Sequence, residues 1–146
     1  MYHPALRAKT EPVLFSEMNT IMEANNKPYL IVIYGKDGCG KCAGLRQDVS
    51  LMLEDEELSA RFDADYQNLS TVRGMAAYAL AETINGQRLP AVQIMKYDTE
   101  KKAYIKMRDS ADTYLQLQTS YAPVESLISK ADITALLDKA LKNSRQ

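Results

Sequence analysis

Cysteine, histidine and net charge are all scarce in this chain. Only two of its 146 residues are cysteines and only one, His3, is a histidine. Two cysteines cannot frame a disulfide-built scaffold, so the fold must be held by packing. Structural zinc generally takes four Cys or His ligands, which leaves only a metal site shared between two copies, and His3 reads as a surface residue. The net charge of −1 gives no reason to expect nucleic acid or an anionic membrane as partner. No stretch approaches the roughly 20 apolar residues that span a bilayer. The opening "MYHPALRAKTEP" lacks the apolar core of a secretory signal, which favours the cytoplasm, with export of a processed form as the alternative. Repeats, low-complexity tracts and interdomain linkers are also missing. A single domain over residues 1–146 is expected, as a monomer without a cofactor.

What is present has a clear order. Residues 1–12 have little periodicity and read as a loosely attached arm. Phe15, Met18, Ile21 and Met22 recur at helical spacing up to about Ala24, and Pro28 then disfavours a helical Lys27. "YLIVIY", Tyr29 to Tyr34, is a continuous β-branched and aromatic run, as in a strand covered on both faces. It stops at Gly35. After Cys42, the residues Leu45, Val49, Met52 and Leu53 share one helical face. The acidic run Glu54 to Glu57 reads as a helix end. "ARFDADY" alternates like a strand. Val72, Met75, Ala76, Ala79 and Leu80 mark the apolar face of a further helix that closes around Asn85-Gly86. Pro90–Tyr97 and Ala103–Arg108 read as the strands of a hairpin. Within Asp109–Ser129, "TYLQLQT" alternates like a strand, while Pro123 and scattered polar residues allow a loop. Asp132 reads as the N-cap of a last helix carrying Ile133, Leu136, Leu137, Ala140 and Leu141. Helix and strand alternation followed by a hairpin implies a mixed α/β sheet with helices on both faces.

Both cysteines lie in "KDGCGKC", residues 36–42, at the junction of the first strand with the helix after it. As a staple the pair would close almost no loop, and so stabilise little. A shared metal site stays open. The redox reading explains the position as well as the residue types. A helix N-terminus carries partial positive charge and unpaired N–H groups, which favour a thiolate on Cys39, the attacking species. Lys41 adds a full positive charge, and Gly38 and Gly40 leave the approach uncrowded. Cys42, a turn further on, can attack a mixed disulfide formed at Cys39.

At this point the chain resembles the thioredoxin superfamily from Phe15 to Leu141. "YGKDGCGKC" is similar to the family's aromatic, short turn and Cys-x-x-Cys, with Tyr34 in the aromatic place. "RLPAVQI" fits the place of the family's cis-proline, and "SKADITALLDKAL" is similar to the last helix of thioredoxin. The resemblance implies that Cys39 is the nucleophile and Cys42 the resolving thiol. It implies that Pro90 shapes the groove for substrate, while Leu89 offers backbone groups to an extended segment. An ordinary strand-start proline is the plain alternative for Pro90.

Departures from the pattern are as informative. Gly38 stands where the family has tryptophan, which opens the surface around Cys39; the chain has no tryptophan at all. Ile33 takes the place of the family's buried acid, and Arg61 that of a lysine near it. The proton acceptor for the resolving cysteine is thus unassigned, with Asp37 or water available, although Asp37 also reads as a plain turn residue. Lys41 replaces thioredoxin's proline and should make the disulfide a better oxidant; a solvent-facing lysine with a screened field is the alternative. Residues 109–129 read as an insertion. Three function classes follow. The leading one is a thiol–disulfide oxidoreductase acting on protein disulfides or dithiols and recycled by a reductase, itself running as a reductase. The others are a non-catalytic binding or assembly protein using the same groove, and a redox subunit dedicated to one enzyme.

Overall fold

The computed structural model describes residues 26–119 and 128–143. The expected arm over 1–12 with His3, the helix from Phe15 to Ala24, and Pro123 within residues 109–129 lie outside that range. Described elements are strand β1 (Tyr29–Gly35), helix α1 (Gly40–Met52), helix α2 (Glu56–Arg61), strand β2 (Phe62–Asn68), helix α3 (Val72–Ala81), strand β3 (Ala91–Asp98), strand β4 (Ala103–Lys106), strand β5 (Gln116–Gln118) and helix α4 (Lys130–Asn143).

The sheet is mixed, as the sequence implies. Its order is β2-β1-β3-β4, with β5 also on β3. β1 runs parallel to β2 and antiparallel to β3. Six of the seven β1 residues are buried, which is why this strand shows no polar alternation. Its two faces feed two different clusters. Tyr29, Ile31 and Ile33 pack with Leu45 and Val49 of α1 and with Ile133, Leu136, Leu137 and Ala140 of α4. Val32 and Tyr34 point the other way, to Ala77, Tyr78 and Ala81 of α3. Helices therefore cover both faces. On the first face, Tyr29 and Phe62 stack with ring centroids 5.0 Å apart.

The acidic run does lie at a helix end, the start of α2, where the Asp55 carboxylate accepts from the N–H groups of Glu57 and Leu58. Ala60 and Arg61 belong to that short helix, so β2 starts later than the alternation implies. β4 ends at Lys106, two residues before the expected Arg108. The chain turns at Asp109, whose Oδ1 accepts from the N–H groups of Ala111 and Thr113. It returns as β5, so "TYLQLQT" does supply a strand. β5 pairs Ala91–Gln93 and β4 pairs Met95–Asp98, so the two lie end to end along one edge of β3.

Three expectations need correcting. Val72, Met75, Ala76, Ala79 and Leu80 are exposed; α3 instead turns Gly74, Ala77, Tyr78 and Ala81 inward. At Gly74 the helix comes so close to the end of β2 that a Cβ would run into the Asn68 backbone. α3 also stops at Ala81, before Asn85-Gly86, with Glu82 at φ 63°. Its last carbonyl is taken by Lys106 Nζ, 3.1 Å away. Finally, Asp132 is not the N-cap of α4. Ser129 is: its Oγ accepts from the Asp132 N–H at 3.1 Å, while Asp132 Oδ2 accepts from the Ser129 N–H at 2.9 Å. That reciprocal pair is a capping box, with the acid three residues inside the helix.

Candidate active site

The cysteine loop leaves β1 at Gly35 and enters α1 at Gly40. Gly38 turns it with φ +75°, a left-handed conformation that a side chain would strain. Cys39 is the N-cap of α1, with extended backbone at φ −99° and ψ 104°. Its carbonyl accepts the first helical bond, from the Ala43 N–H at 3.2 Å. Its Sγ accepts from the Cys42 N–H at 3.1 Å. A sulfur thus occupies the place that a serine or aspartate oxygen usually takes, with a helix donor aimed at it. Negative charge on that sulfur would meet both the donor and the positive end of the helix.

Cys39 and Cys42 form a disulfide, with Cα atoms 5.3 Å apart. Their environments differ. Cys39 is half-buried and Cys42 is 0 % exposed. Gly38 and Lys41 beside them are exposed, and α1 has no acidic residue in its first turn.

The loop is tethered from the neighbouring strand. Asn68 Nδ2 donates to Asp37 Oδ1 at 2.7 Å, and the Asp37 N–H donates to Ser70 Oγ at 3.0 Å. The Leu69 N–H donates to the Gly35 carbonyl at 2.7 Å. Asp37 is therefore more than a plain turn residue: it ties the loop to the end of β2.

The Leu89–Pro90 peptide bond is cis. Tyr34 pairs with Ala91, so the buried Pro90 lies one step further along β3, at the end of β1 from which the cysteine loop departs. Thr119 fixes it, its N–H and Oγ1 donating to the Pro90 carbonyl at 3.2 and 3.0 Å. Leu89 is half-buried, and its backbone N–H and C=O make no hydrogen bond among the described residues.

Not every expected residue converges here. Arg61 is exposed, next to the Phe62–Tyr29 pair, and so lies at the opposite end of β1 from the cysteines. Tyr34 turns away from them into the second cluster, where its hydroxyl donates to Gln93 Oε1 at 3.2 Å. Burial, and secondarily the Asp65 carboxylate, pushes its phenol up to about 12. Gln93 continues through its Nε2 to Thr83 and Gln116. Ile33 brings no charge to the site. Its partner in the β1–β2 register is Tyr66.

Tyr66 and Arg46 carry no signal in the sequence, yet both stand close to Cys42. A Cβ on residue 35 would collide with the Tyr66 hydroxyl and lie 2.9 Å from Cys42 Cβ. Gly35 is the gap through which that hydroxyl approaches the cysteine. The Arg46 guanidinium, one turn after Cys42, lies 4.4 Å from the centre of the Tyr66 ring. Among the described residues no cluster of three or more His, Cys, Asp or Glu could hold a metal ion. Nor is any described helix long and apolar enough to cross a membrane.

No family model matches the chain, and no curated protein does. Solved structures do. Thioredoxin f2 of Chlamydomonas reinhardtii is similar at 14 % identity over 86 % of this chain and 90 % of that one, with a TM-score of 0.47. A structure of a complex of ferredoxin:thioredoxin reductase with thioredoxin f2 contains a similar chain, at 12 % identity over 88 % and 92 %, TM-score 0.48. A thioredoxin-fold protein from Helicobacter pylori is similar at 12 % identity over 80 % and 88 %, TM-score 0.41.

Proposed function

We propose that this thioredoxin-like chain is a thiol–disulfide oxidoreductase of the cytoplasm, acting on protein disulfides as a reductase. The observation that carries this is the asymmetry of the cysteine pair. One sulfur is half-exposed at a helix N-cap, and the other is buried yet near enough to bond to it.

The chemistry runs in two displacements. The Cys39 thiolate attacks one sulfur of a substrate disulfide, forming a mixed disulfide. The other substrate sulfur leaves with the electron pair and takes a proton from solvent. Cys42 then loses its proton and attacks Cys39 Sγ. The second substrate thiolate leaves, and the pair is oxidised by two electrons. A recycling reductase returns it to the dithiol. On reduction, the helix end and the Cys42 N–H favour a thiolate at Cys39, with Lys41 adding positive charge. Pro90 shapes the groove beside the cysteines. The unpaired backbone groups of Leu89 receive an extended substrate segment by strand addition. Gly38, without a side chain, keeps the rim open to bulky clients.

Reduction of a protein disulfide, driven by a small dithiol, tests this directly. The wild type should catalyse it, and Cys39→Ser should not. Cys42→Ser should instead accumulate mixed disulfides with its clients, which would also reveal a single dedicated enzyme partner. Catalysis that survives Cys39→Ser would overturn the assignment. A wild type inert in the same assay would favour the non-catalytic binding reading, for which the loss of the buried acid at Ile33 is the supporting feature.

A further inference from the structure

Cys42 must lose a proton inside the protein. Its side chain is completely buried, and burial disfavours a thiolate unless something hydrogen-bonds it. The helix end does not serve it, because the Cys42 N–H is directed at Cys39 Sγ. Ile33 supplies no charge. What lies within reach is a hydroxyl.

We propose that the Tyr66 hydroxyl donates a hydrogen bond to the Cys42 sulfur once the disulfide opens, and so stabilises the resolving thiolate in place of a carboxylate. The proposal deepens the redox reading and rests on it for its functional meaning, though its structural basis is independent. Tyr66 stands opposite Ile33 in the parallel register, so it reaches the same neighbourhood from the adjacent strand. Its hydroxyl and Cys42 Cβ both crowd the point where residue 35 would carry a Cβ, and glycine keeps that point empty. Among the described residues the hydroxyl has no hydrogen-bond partner with the disulfide closed. It is free to take one when the sulfur is released. Arg46, with its guanidinium 4.4 Å from the ring centre, holds the ring from its face and adds positive charge beside the site.

Tyr66 acts as a donor and not as a base. The Cys42 proton passes to water, and the electron pair left on sulfur forms the new bond to Cys39 Sγ. The bond from Cys39 to the substrate breaks, and the substrate sulfur leaves as a thiolate that solvent protonates. Tyr66 keeps its own proton throughout. A hydrogen bond to a charged sulfur of this kind corresponds to about a tenfold change in the thiolate fraction.

The test reads the thiol itself. In Cys39→Ser, Cys42 is the sole cysteine of the chain, so its ionisation can be followed by thiolate absorbance on the full chain. Adding Tyr66→Phe, which keeps the ring under Arg46, should raise the midpoint by about one pH unit. With both cysteines present, Tyr66→Phe should slow the resolving step about threefold at neutral pH, the smaller thiolate fraction being partly offset by a more nucleophilic thiolate, and shift its pH profile to the alkaline side. The attack by Cys39 should be unchanged. Coincident midpoints with and without the hydroxyl would overturn the proposal, as would an unshifted profile of the resolving step. The two readings fail separately. A wild type inert towards protein disulfides would sink the redox function while a shifted midpoint still upheld Tyr66, and an active wild type with coincident midpoints would do the reverse.

Discussion

Replacing Gly74 by alanine sets two effects of opposite sign against each other. Within a helix, alanine is favoured over glycine by about 0.8–1 kcal/mol. At Gly74, however, a Cβ would run into the carbonyl of Asn68 and come within 2.8 Å of its nitrogen. Main chain cannot swing aside as a side-chain tip can. Asn68 is also held in place, its carbonyl accepting from Thr71 Oγ1 at 2.7 Å while its side chain grips Asp37 in the cysteine loop. Overpacking of this kind costs about 1–3 kcal/mol. With immovable backbone as the obstacle the upper end applies, so the net expectation is a loss of about 1–2 kcal/mol. Gly44 is the matched control, because it lies inside α1 with nothing within 4 Å of a new Cβ. Gly44→Ala should gain about 1 kcal/mol. Urea denaturation of the oxidised proteins measures both. The two substitutions should move the midpoint in opposite directions at constant slope. If Gly74→Ala matched or exceeded wild-type stability, the close approach of α3 to β2 would be wrong, and with it the account of how the cysteine loop is anchored.

Other consequences are as direct. Burial, with Asp65 second, raises the Tyr34 phenol from 10.0 to about 12, so its contribution to stability is intact below pH 10 and is lost as pH climbs towards 12. Tyr34→Phe should therefore flatten the alkaline limb of a stability–pH profile, and an unaltered limb would contradict the burial argument. Ser129→Ala removes one arm of the capping box and should cost about 1 kcal/mol in urea denaturation. The Asp132 carboxyl, held below the usual carboxylate range by the Ser129 N–H first and its hydroxyl second, should rise part of the way back in an NMR titration. The stability that this carboxylate contributes is present above the ordinary carboxylate range and fades as pH falls. Lys41→Pro should make the cysteine pair more reducing in equilibrium with a glutathione buffer, whereas an unchanged potential would remove the lysine from the account.

Much of the fold is legible because its core elements are one-dimensional patterns. The unbroken apolar run of β1 implies burial on both faces, and the face of Ile133, Leu136, Leu137 and Ala140 is the one α4 buries. α3 reads backwards for a physical reason. Periodicity weighs apolar bulk, so Val72, Met75 and Leu80 define its apparent inner face. Where the helix meets the end of β2 only glycine fits, at Gly74, and Val72 is left 89 % exposed. The cap of α4 is displaced for a simpler reason. Serine and aspartate are both good N-caps, and only the reciprocal geometry shows which residue caps and which answers from the third position.

The cysteines are legible because spacing and a helix start lie within seven consecutive residues. What surrounds Cys42 is not, since it depends on strand register across a wide gap in sequence. That difference matters for mechanism. The chemistry of the pair requires two sulfurs of unlike character from identical residues, and sequence supplies only their order. The fold supplies the rest. The N-cap position gives Cys39 a donor and an opening to solvent, while the first turn of α1 carries Cys42 under the sheet, away from any competing disulfide. A buried thiol is a poor nucleophile unless its anion is met by a hydrogen bond. Ile33, on the face of β1 that packs against α1, offers no polar atom. If Tyr66 serves Cys42 as inferred above, the polar atom that Ile33 lacks comes from the neighbouring strand, where Tyr66 pairs with Ile33.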